Sequence, residues 1–143
     1  LIDRMSHEAL RMTSPVMHMR RTATEDTEIA GQRIAENEKI IMWYGAANRD
    51  PSVFPDPDVF DLTRDNVEKH VAFGHGVHRC LGNRIAQMQL KMAYERILER
   101  FPNIHWTGKQ KIEPIILVHA ISSLEVNLYG KGAKRPTQVA VPG

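Results

Sequence analysis

Cys80 is the only cysteine of this 143-residue chain, and glycines and basic side chains crowd around it. The segment FGHGVHRCLG, residues 73–82, contains three glycines, two histidines and one arginine beside the thiol. A single thiol cannot form an internal disulfide, so Cys80 is an inert core thiol, a reactive nucleophile or a metal ligand. An apolar helical pattern starts directly after it, and the positive end and unpaired amides of a helix stabilise a thiolate. Because glycine lets the backbone pass close to a flat, bulky group, the segment favours a thiolate that ligates such a group.

A phosphate-binding loop or a zinc site would need a different arrangement around Cys80. A tyrosine-phosphatase loop has its arginine farther from the cysteine than Arg84 lies from Cys80. A structural zinc site needs four ligands and commonly uses paired cysteines. Here His75, His78 and Cys80 supply three ligands, and His70 is the nearest candidate for the fourth. Zinc binding therefore stays an alternative, whereas the phosphatase loop is excluded.

The composition is that of an ordinary globular chain. Hydrophobic residues make up 42% of the sequence, and 19 basic against 17 acidic residues leave a net charge of +2. This balance argues against a nucleic-acid partner or binding to an anionic membrane surface. No stretch approaches the roughly 20 apolar residues of a membrane span, and the first residues lack the apolar core of a signal peptide. We therefore expect a cytoplasmic protein without a membrane span.

Upstream of the cysteine, the pattern predicts a helix, a small sheet and a long meander. Apolar residues recur at helical spacing over residues 1–12, and the dipeptide Ser14-Pro15 ends that helix. Between Thr27 and Tyr44, apolar pairs alternate with turn-forming residues, which predicts short strands in one small sheet. Residues 48–66 contain three prolines and five aspartates, so we expect an ordered meander with nothing more regular than single turns.

Downstream of the cysteine, one long helix and a hairpin are predicted. Apolar residues cover a wide arc of the helix that ends before Pro102, so it should be the most buried helix of the chain. Residues 112–128 resemble two further strands in a hairpin. Residues 130–143 are predicted to form a flexible tail. The predicted fold class is α+β.

Five positions of the cysteine segment resemble a known haem-binding signature. The signature is F-x-x-G-x-[HR]-x-C-x-G, which is typical of cytochrome P-450 enzymes. Ten residues with five fixed positions make a specific match. The matching residues are Phe73, Gly76, His78, Cys80 and Gly82.

A second resemblance to the same family lies in the first helix. Glu8 and Arg11 match the family's E-x-x-R pair, and at i and i+3 the two side chains share a helix face. Many family members place an arginine in the meander to complete a triad with this pair, but Val59 occupies that place here. We expect Arg64 to substitute for it.

The order of the predicted elements also resembles the family throughout residues 1–129. The resemblance implies that these residues are the C-terminal, haem-ligating part of a bacterial-type cytochrome P-450 domain whose N-terminal part is missing. The implied architecture is the E-x-x-R helix, a small sheet, the meander, the cysteine loop, a long proximal helix and a β-hairpin. Residues 130–143 lie beyond this resemblance as the predicted tail.

The resemblance implies haem b as the cofactor and a role for each matching residue. Cys80 would be the proximal thiolate ligand of the iron, donating electron density that favours O–O cleavage. His78 and Arg21, the latter five residues before Asp26, would bond the haem propionates. Phe73 would shield the ligand from water. The glycines that would permit close approach are Gly76 and Gly82.

The resemblance also implies a substrate pocket lined by apolar strand residues. Core packing is the alternative role for each of these side chains. An apolar lining would select an apolar substrate. The residues concerned are Val16, Met17, Met19, Leu117 and Val118.

The implied function is that of a haem-thiolate monooxygenase, which inserts one oxygen atom from O₂ into an apolar organic substrate. The signature has histidine at position 78, and in this respect the chain resembles bacterial enzymes of the family. Such enzymes receive electrons from a ferredoxin-type partner and its NAD(P)H-dependent reductase. Two alternatives stay open. One is a peroxide-dependent haem-thiolate peroxygenase, and the other is a non-catalytic haem-binding or zinc-binding module.

Overall fold

The computed structural model describes residues 1–131, so most of the tail predicted at residues 130–143 lies outside the described residues. Within them, helices and antiparallel strand pairs alternate along the chain, with single 3₁₀ turns at Val67–Lys69 and Gly76–His78. The main elements are α1 (Ile2–Thr13), β1 (His18–Thr22), β2 (Thr27–Ile29), β3 (Gln32–Ile34), β4 (Lys39–Trp43), α2 (Tyr44–Ala47), α3 (Asn83–Arg100), β5 (His105–Glu113) and β6 (Ala120–Asn127).

Helix α1 begins and ends close to where the sequence predicts. Ser14 adopts a left-handed conformation with φ 40°, and its N–H donates to the carbonyl of Leu10 at 2.9 Å. Pro15 follows and cannot continue the helix. The end of α1 thus turns the chain sharply towards β1.

The strands predicted between Thr27 and Tyr44 form, but they belong to two sheets. Strands β2 and β3 form a small hairpin whose turn at Ala30 and Gly31 has positive φ angles of 49° and 81°. Strand β4 instead pairs with β1, which places Arg21 opposite Ile40. The sequence pattern identified the strands but could not show which of them pair.

The C-terminal hairpin was predicted at residues 112–128, but its first strand begins earlier. Strand β5 starts at His105 and pairs with β6 to Glu113. The register shifts between Trp106 and Gln110, where Gly108 has a φ of 90°. This irregularity breaks the alternation of apolar and polar residues, which explains why the pattern did not reveal the strand.

The prediction that the helix after Cys80 is the most buried helix is wrong for the described part of the chain. No residue of α3 is buried there, and Ile85, Met88 and Met92 are 59%, 56% and 55% exposed. Helix α1 packs against α3 and covers only part of its circumference. The wide apolar arc therefore remains in contact with solvent.

The core is instead built around a fully buried ion pair on α1. Arg11 donates from Nε to Oε2 of Glu8 at 2.7 Å and from Nη2 to Oε1 at 2.8 Å. Its Nη1 donates to the carbonyl oxygens of Asn48 and Pro57, at 2.8 and 2.7 Å. The ring of Phe54 lies against the guanidinium, 5.2 Å from centroid to Cζ. One arginine thus ties α1 to two points of the meander.

Arg64 completes this network, as expected from the sequence. Its Nε lies 3.4 Å from Oε1 of Glu8, and its Nη1 donates to the carbonyl of Pro55 at 2.6 Å. The backbone N–H of Asp61 also donates to Glu8, at 3.0 Å. Burial opposes ionisation of Glu8, but the hydrogen bond from Arg11, the Asp61 amide and the two guanidinium charges outweigh it and hold the pKa of Glu8 below its ordinary value.

Substituting Glu8 by alanine is expected to lower the free energy of unfolding by on the order of 3–5 kcal/mol, because Arg11 is left buried without its carboxylate. Urea unfolding, the yield of folded protein and haem content of the full-length protein measure this. The control is Glu99→Ala, which removes an exposed i,i+3 pair with Arg96 and should change stability by less than about 1 kcal/mol. Equal effects of the two substitutions would contradict the proposed importance of burial.

Expressed by themselves, these 143 residues are expected to aggregate or to form a molten state that binds haem weakly and does not catalyse oxidation. Each large apolar side chain left in water forfeits about 1.5–3 kcal/mol, and a typical stability margin is roughly 5–15 kcal/mol. Replacing Ile85, Met88 and Met92 by glutamine should therefore reduce aggregation, as measured by light scattering.

The matched control for that experiment is glutamine at three exposed polar positions of the same helix, Arg84, Lys91 and Glu95. This control should aggregate as the unchanged chain does. A cooperative thermal transition with stoichiometric haem binding by the unchanged chain would show the expectation to be wrong.

Candidate functional site

Cys80 lies at the end of a short closed loop, directly before α3. The loop is closed by the N–H of Cys80, which donates to the carbonyl of Phe73 at 2.8 Å. Inside it, Gly76 has a φ of 68° and accepts from the N–H of Arg79 at 3.0 Å. Asn83 caps the far side by donating from Nδ2 to the carbonyl of Cys80 at 2.7 Å. The predicted position of the cysteine at a helix N-terminus is therefore correct.

The thiol of Cys80 is accessible to a bound group, and two backbone amides lie next to it. Cys80 is exposed, and the neighbouring Leu81 is 99% exposed. In the described part of the chain, the N–H groups of Leu81 and Gly82 donate to no backbone carbonyl. A Cβ atom built on Gly82 would lie 3.9 Å from Sγ of Cys80. Two amide donors thus follow the thiol directly and are available to stabilise a thiolate.

A cavity of about 500 Å³ opens beside the cysteine. Its polar lining comes from Arg21 on β1 and from His78 and Cys80 in the later part of the cysteine loop. The remaining lining is largely apolar and is drawn from α1, the sheet and the loop. These residues are Leu10, Pro15, Val16, Met19, Tyr44, Ala72, Phe73 and Gly74.

This arrangement fits haem b. The macrocycle needs a flat apolar surface, its two propionates need cationic or hydrogen-bonding partners, and its iron needs an axial donor. The cavity offers an apolar lining, Arg21 with His78, and the thiol of Cys80. Phe73 lines it as well, whereas Gly76 and Gly82 belong to the loop but not to the lining.

The predicted substrate residues divide into two groups. Val16 and Met19 line the same cavity as Cys80, whereas Met17 does not. The N–H of Met17 donates to the carbonyl of Leu117 at 2.9 Å, and Val16 pairs with Val118 in an isolated antiparallel bridge. The structure therefore brings the two predicted segments together through their backbones, and a substrate contact for these residues stays a prediction.

The histidines proposed for zinc do not gather around the cysteine. Within residues 1–131, the side chains able to offer three ligand atoms within 4.8 Å of one another are Asp3, His7 and Glu68. His75, His78 and Cys80 form no such group there. The geometry therefore does not support the zinc alternative at Cys80.

His70 is a buried residue whose part in the site the sequence did not reveal. Its Nδ1 accepts from the N–H of Ala72 at 3.2 Å, so in the neutral ring Nε2 carries the proton and donates to Nδ1 of His7, also at 3.2 Å. Burial lowers the pKa of His70 to about 4, helped by the charges of His7, Arg79 and Arg11 and opposed by Glu8. His70 is therefore neutral at pH 7.

Tyr44 and Gly74 are two further residues that the sequence did not single out. The hydroxyl of Tyr44 lies 3.3 Å from the position of a Cβ built on Gly74, whose φ is 73°. A side chain at position 74 would therefore be strained and would press on the tyrosine. Gly74 lies between two fixed positions of the signature. Apart from its being a glycine, nothing in the sequence therefore indicated its role.

The neutral state of His70 makes stability depend on pH. Between about pH 6.5 and pH 4, an unfolded histidine gains a proton that folded His70 does not bind, so stability falls as the pH falls through this window, by on the order of 3 kcal/mol. His70→Asn keeps an acceptor for the Ala72 N–H without a titrating ring. Unfolding free energies of the two full-length proteins at several pH values should diverge in slope here, and identical slopes would contradict the assignment.

The described residues, 1–131, contain no helix that is both long enough and apolar enough to cross a membrane.

The sequence is similar to bacterial oxygenases over most of its length. The profile of the cytochrome P450 family matches residues 1–124. Linalool 8-monooxygenase of Pseudomonas putida is 44% identical over 131 residues, which are 92% of this chain and 32% of that protein. Steroid C26-monooxygenase of Mycobacterium tuberculosis is 39% identical over 118 residues, which are 82% of this chain and 32% of that protein.

A solved structure supports the same assignment. Cytochrome P450-153 from Novosphingobium aromaticivorans superposes with a TM-score of 0.82 at 42% identity, covering 87% of this chain and 32% of that one. The chain therefore spans about a third of the length of these relatives. The predicted α+β fold of the C-terminal P450 part is confirmed, and the family's cofactor is haem b, bound through a cysteine thiolate. This chain belongs to the cytochrome P450 family.

Proposed function

We propose that the protein containing this chain is a haem-thiolate monooxygenase that inserts one oxygen atom from O₂ into an apolar organic substrate. The observation that carries the proposal is the convergence of Cys80, Arg21 and His78 on one largely apolar cavity. Relatives named as monooxygenases for linalool and for steroids support it.

Cys80 is the residue that would ligate the haem iron in this proposal. Haem b, when bound, supplies the iron at which dioxygen is activated. The thiolate of Cys80 would donate electron density to that iron, and the amides of Leu81 and Gly82, which donate to no backbone carbonyl within residues 1–131, would stabilise the charge on sulfur. The amide donors therefore tune how strongly the sulfur donates.

Arg21 and His78 orient the cofactor, and Phe73 protects its ligand. Arg21 is half-buried on β1 beside the cavity, and His78, which ends the 3₁₀ turn of the loop, lines the same cavity. Both side chains bond the propionates in this proposal, Arg21 as a charge-assisted donor. Phe73 lines the cavity next to the cysteine, where an aromatic ring excludes water from the sulfur.

The proposed substrate is apolar. Val16 and Met19 present hydrophobic side chains to the cavity, and a substrate without charge loses little hydration on entering such a lining. The names of the two relatives, linalool 8-monooxygenase and steroid C26-monooxygenase, agree with this class.

Electrons are proposed to come from a ferredoxin-type protein and its NAD(P)H-dependent reductase. The basis is the histidine at position 78 of the cysteine signature, which resembles bacterial enzymes with separate redox proteins. A cytoplasmic location remains the prediction made from the sequence. Turnover with O₂, NAD(P)H and such partners, compared with turnover by hydrogen peroxide alone, separates the monooxygenase from the peroxygenase alternative.

Cys80→Ser is the substitution that tests the ligand. The reduced CO complex of the full-length protein should show the red-shifted Soret band of thiolate ligation, and the serine variant should lose it because a hydroxyl does not replace the thiolate donor. His75→Ala, in the same loop but away from the cavity lining, is the control and should keep the band. A band that persists in Cys80→Ser would refute the assignment.

A further inference from the structure

A fully buried carboxamide, that of Asn48, joins the end of α1 to the segment that enters the cysteine loop. Asn48 follows α2 and has no exposed surface. Its Nδ2 donates to Oγ of Ser14 at 2.9 Å, and its Oδ1 accepts from the N–H of Val71 at 2.7 Å. Its backbone carbonyl accepts from Arg11. One side chain therefore holds two chain segments that are far apart in sequence.

The direction of each hydrogen bond at this position is fixed by its partners. The N–H of Val71 can only donate, so the atom facing it is Oδ1 and the amide nitrogen faces Ser14. Ser14 accepts this bond, and its own hydroxyl donates a hydrogen bond to the carbonyl of Arg11 at 3.0 Å. The site thus requires one acceptor and one donor on a short side chain, which asparagine provides.

Val71 lies directly before the cysteine loop and forms a hydrogen bond with its first turn. Its carbonyl accepts from the N–H of Gly74 at 2.8 Å, and Phe73 accepts the bond from Cys80 that closes the loop. The next amide, that of Ala72, is held by His70. Two consecutive amides are therefore anchored by buried side chains immediately before the segment that lines the cavity.

We propose that Asn48 is a positioning residue that sets the place of the cysteine loop relative to α1, and through it the ligation geometry of the Cys80 thiolate. This inference rests on the proposed function, because it assigns Cys80 to haem. Asn48 does not line the cavity, so it acts through Val71 and Phe73. Outer residues that orient a metal ligand commonly change metal affinity by roughly 10–100-fold when they are removed.

Asn48→Ala and Ser14→Ala, compared in the haem-loaded full-length protein, test the proposal. Both substitutions break the bond between Ser14 and the carboxamide, but Asn48 stays tied to α1 because Arg11 donates to its backbone carbonyl, and only Asn48→Ala also releases Val71. We expect Asn48→Ala to weaken haem binding by roughly 10–100-fold and to convert part of the reduced CO complex from the thiolate band to the unshifted band. Ser14→Ala should lower the melting temperature while haem affinity and the thiolate band stay as in the unchanged protein.

Asn48→Asp provides the rescue of ligation, because its carboxylate still accepts from the Val71 N–H, although it loses the donor to Ser14 and buries a negative charge that lowers the free energy of unfolding. Its haem affinity and CO band should lie closer to those of the unchanged protein than to those of Asn48→Ala. Where Asn48→Ala does not fold, Asn48→Ser replaces it, since the shorter hydroxyl does not reach Val71, and the same losses are expected.

Two outcomes would overturn the proposal. Equal haem affinity and equal CO bands in the Asn48→Ala (or Asn48→Ser) and Ser14→Ala proteins would mean that Asn48 serves stability alone. A folded Asn48→Asp protein whose haem affinity and CO band match those of Asn48→Ala would mean that the acceptor for Val71 is not what matters. An unchanged protein without the thiolate band would instead reject the proposed function, which is a separate result.

Discussion

The buried ion pair between Glu8 and Arg11 is the interaction on which the arrangement of the meander depends. Both side chains have lost all contact with solvent, and a buried charge is tolerated only where a partner and further hydrogen bonds replace its hydration. The carbonyls of Asn48 and Pro57 and the guanidinium of Arg64 provide those bonds. A segment with little regular structure thereby satisfies its backbone groups and follows one path from α2 to the cysteine loop.

The same network reaches the candidate haem site through neutral groups. Asn48 accepts from Val71, and His70 accepts from Ala72, so the backbone that enters the loop is held by uncharged acceptors. His70 must remain neutral for this, because protonation of Nδ1 would place two donors against each other. The charged Glu8–Arg11 pair therefore fixes the meander, whereas uncharged side chains, those of Asn48 and His70, hold the backbone that leads to the cysteine.

Local patterns were sufficient for part of this structure. Helix α1, its end at Ser14, the helix after Cys80 and the position of Cys80 just before that helix all follow from residue spacing or from short motifs. Strand pairing, the bulge near Gly108 and the exposure of α3 do not, because they depend on residues far away in sequence. Asn48 and His70 carried no pattern of their own. Arg64 was expected only because Val59 stood where the family's arginine often lies.

The sequence separations within the ion-pair network have a consequence for how the chain folds. Glu8 and Arg11 lie one turn apart, so they can meet as soon as α1 forms, while both are still hydrated. Their other partners, from Asn48 to Arg64, follow 37 to 56 residues later. Bringing that segment back to α1 closes a long loop before any compensating bonds form. The entropy lost in closing this loop slows folding. Docking of the meander and dehydration of the ion pair must therefore occur in one cooperative step. In any state in which the meander is undocked, Glu8 and Arg11 are still hydrated.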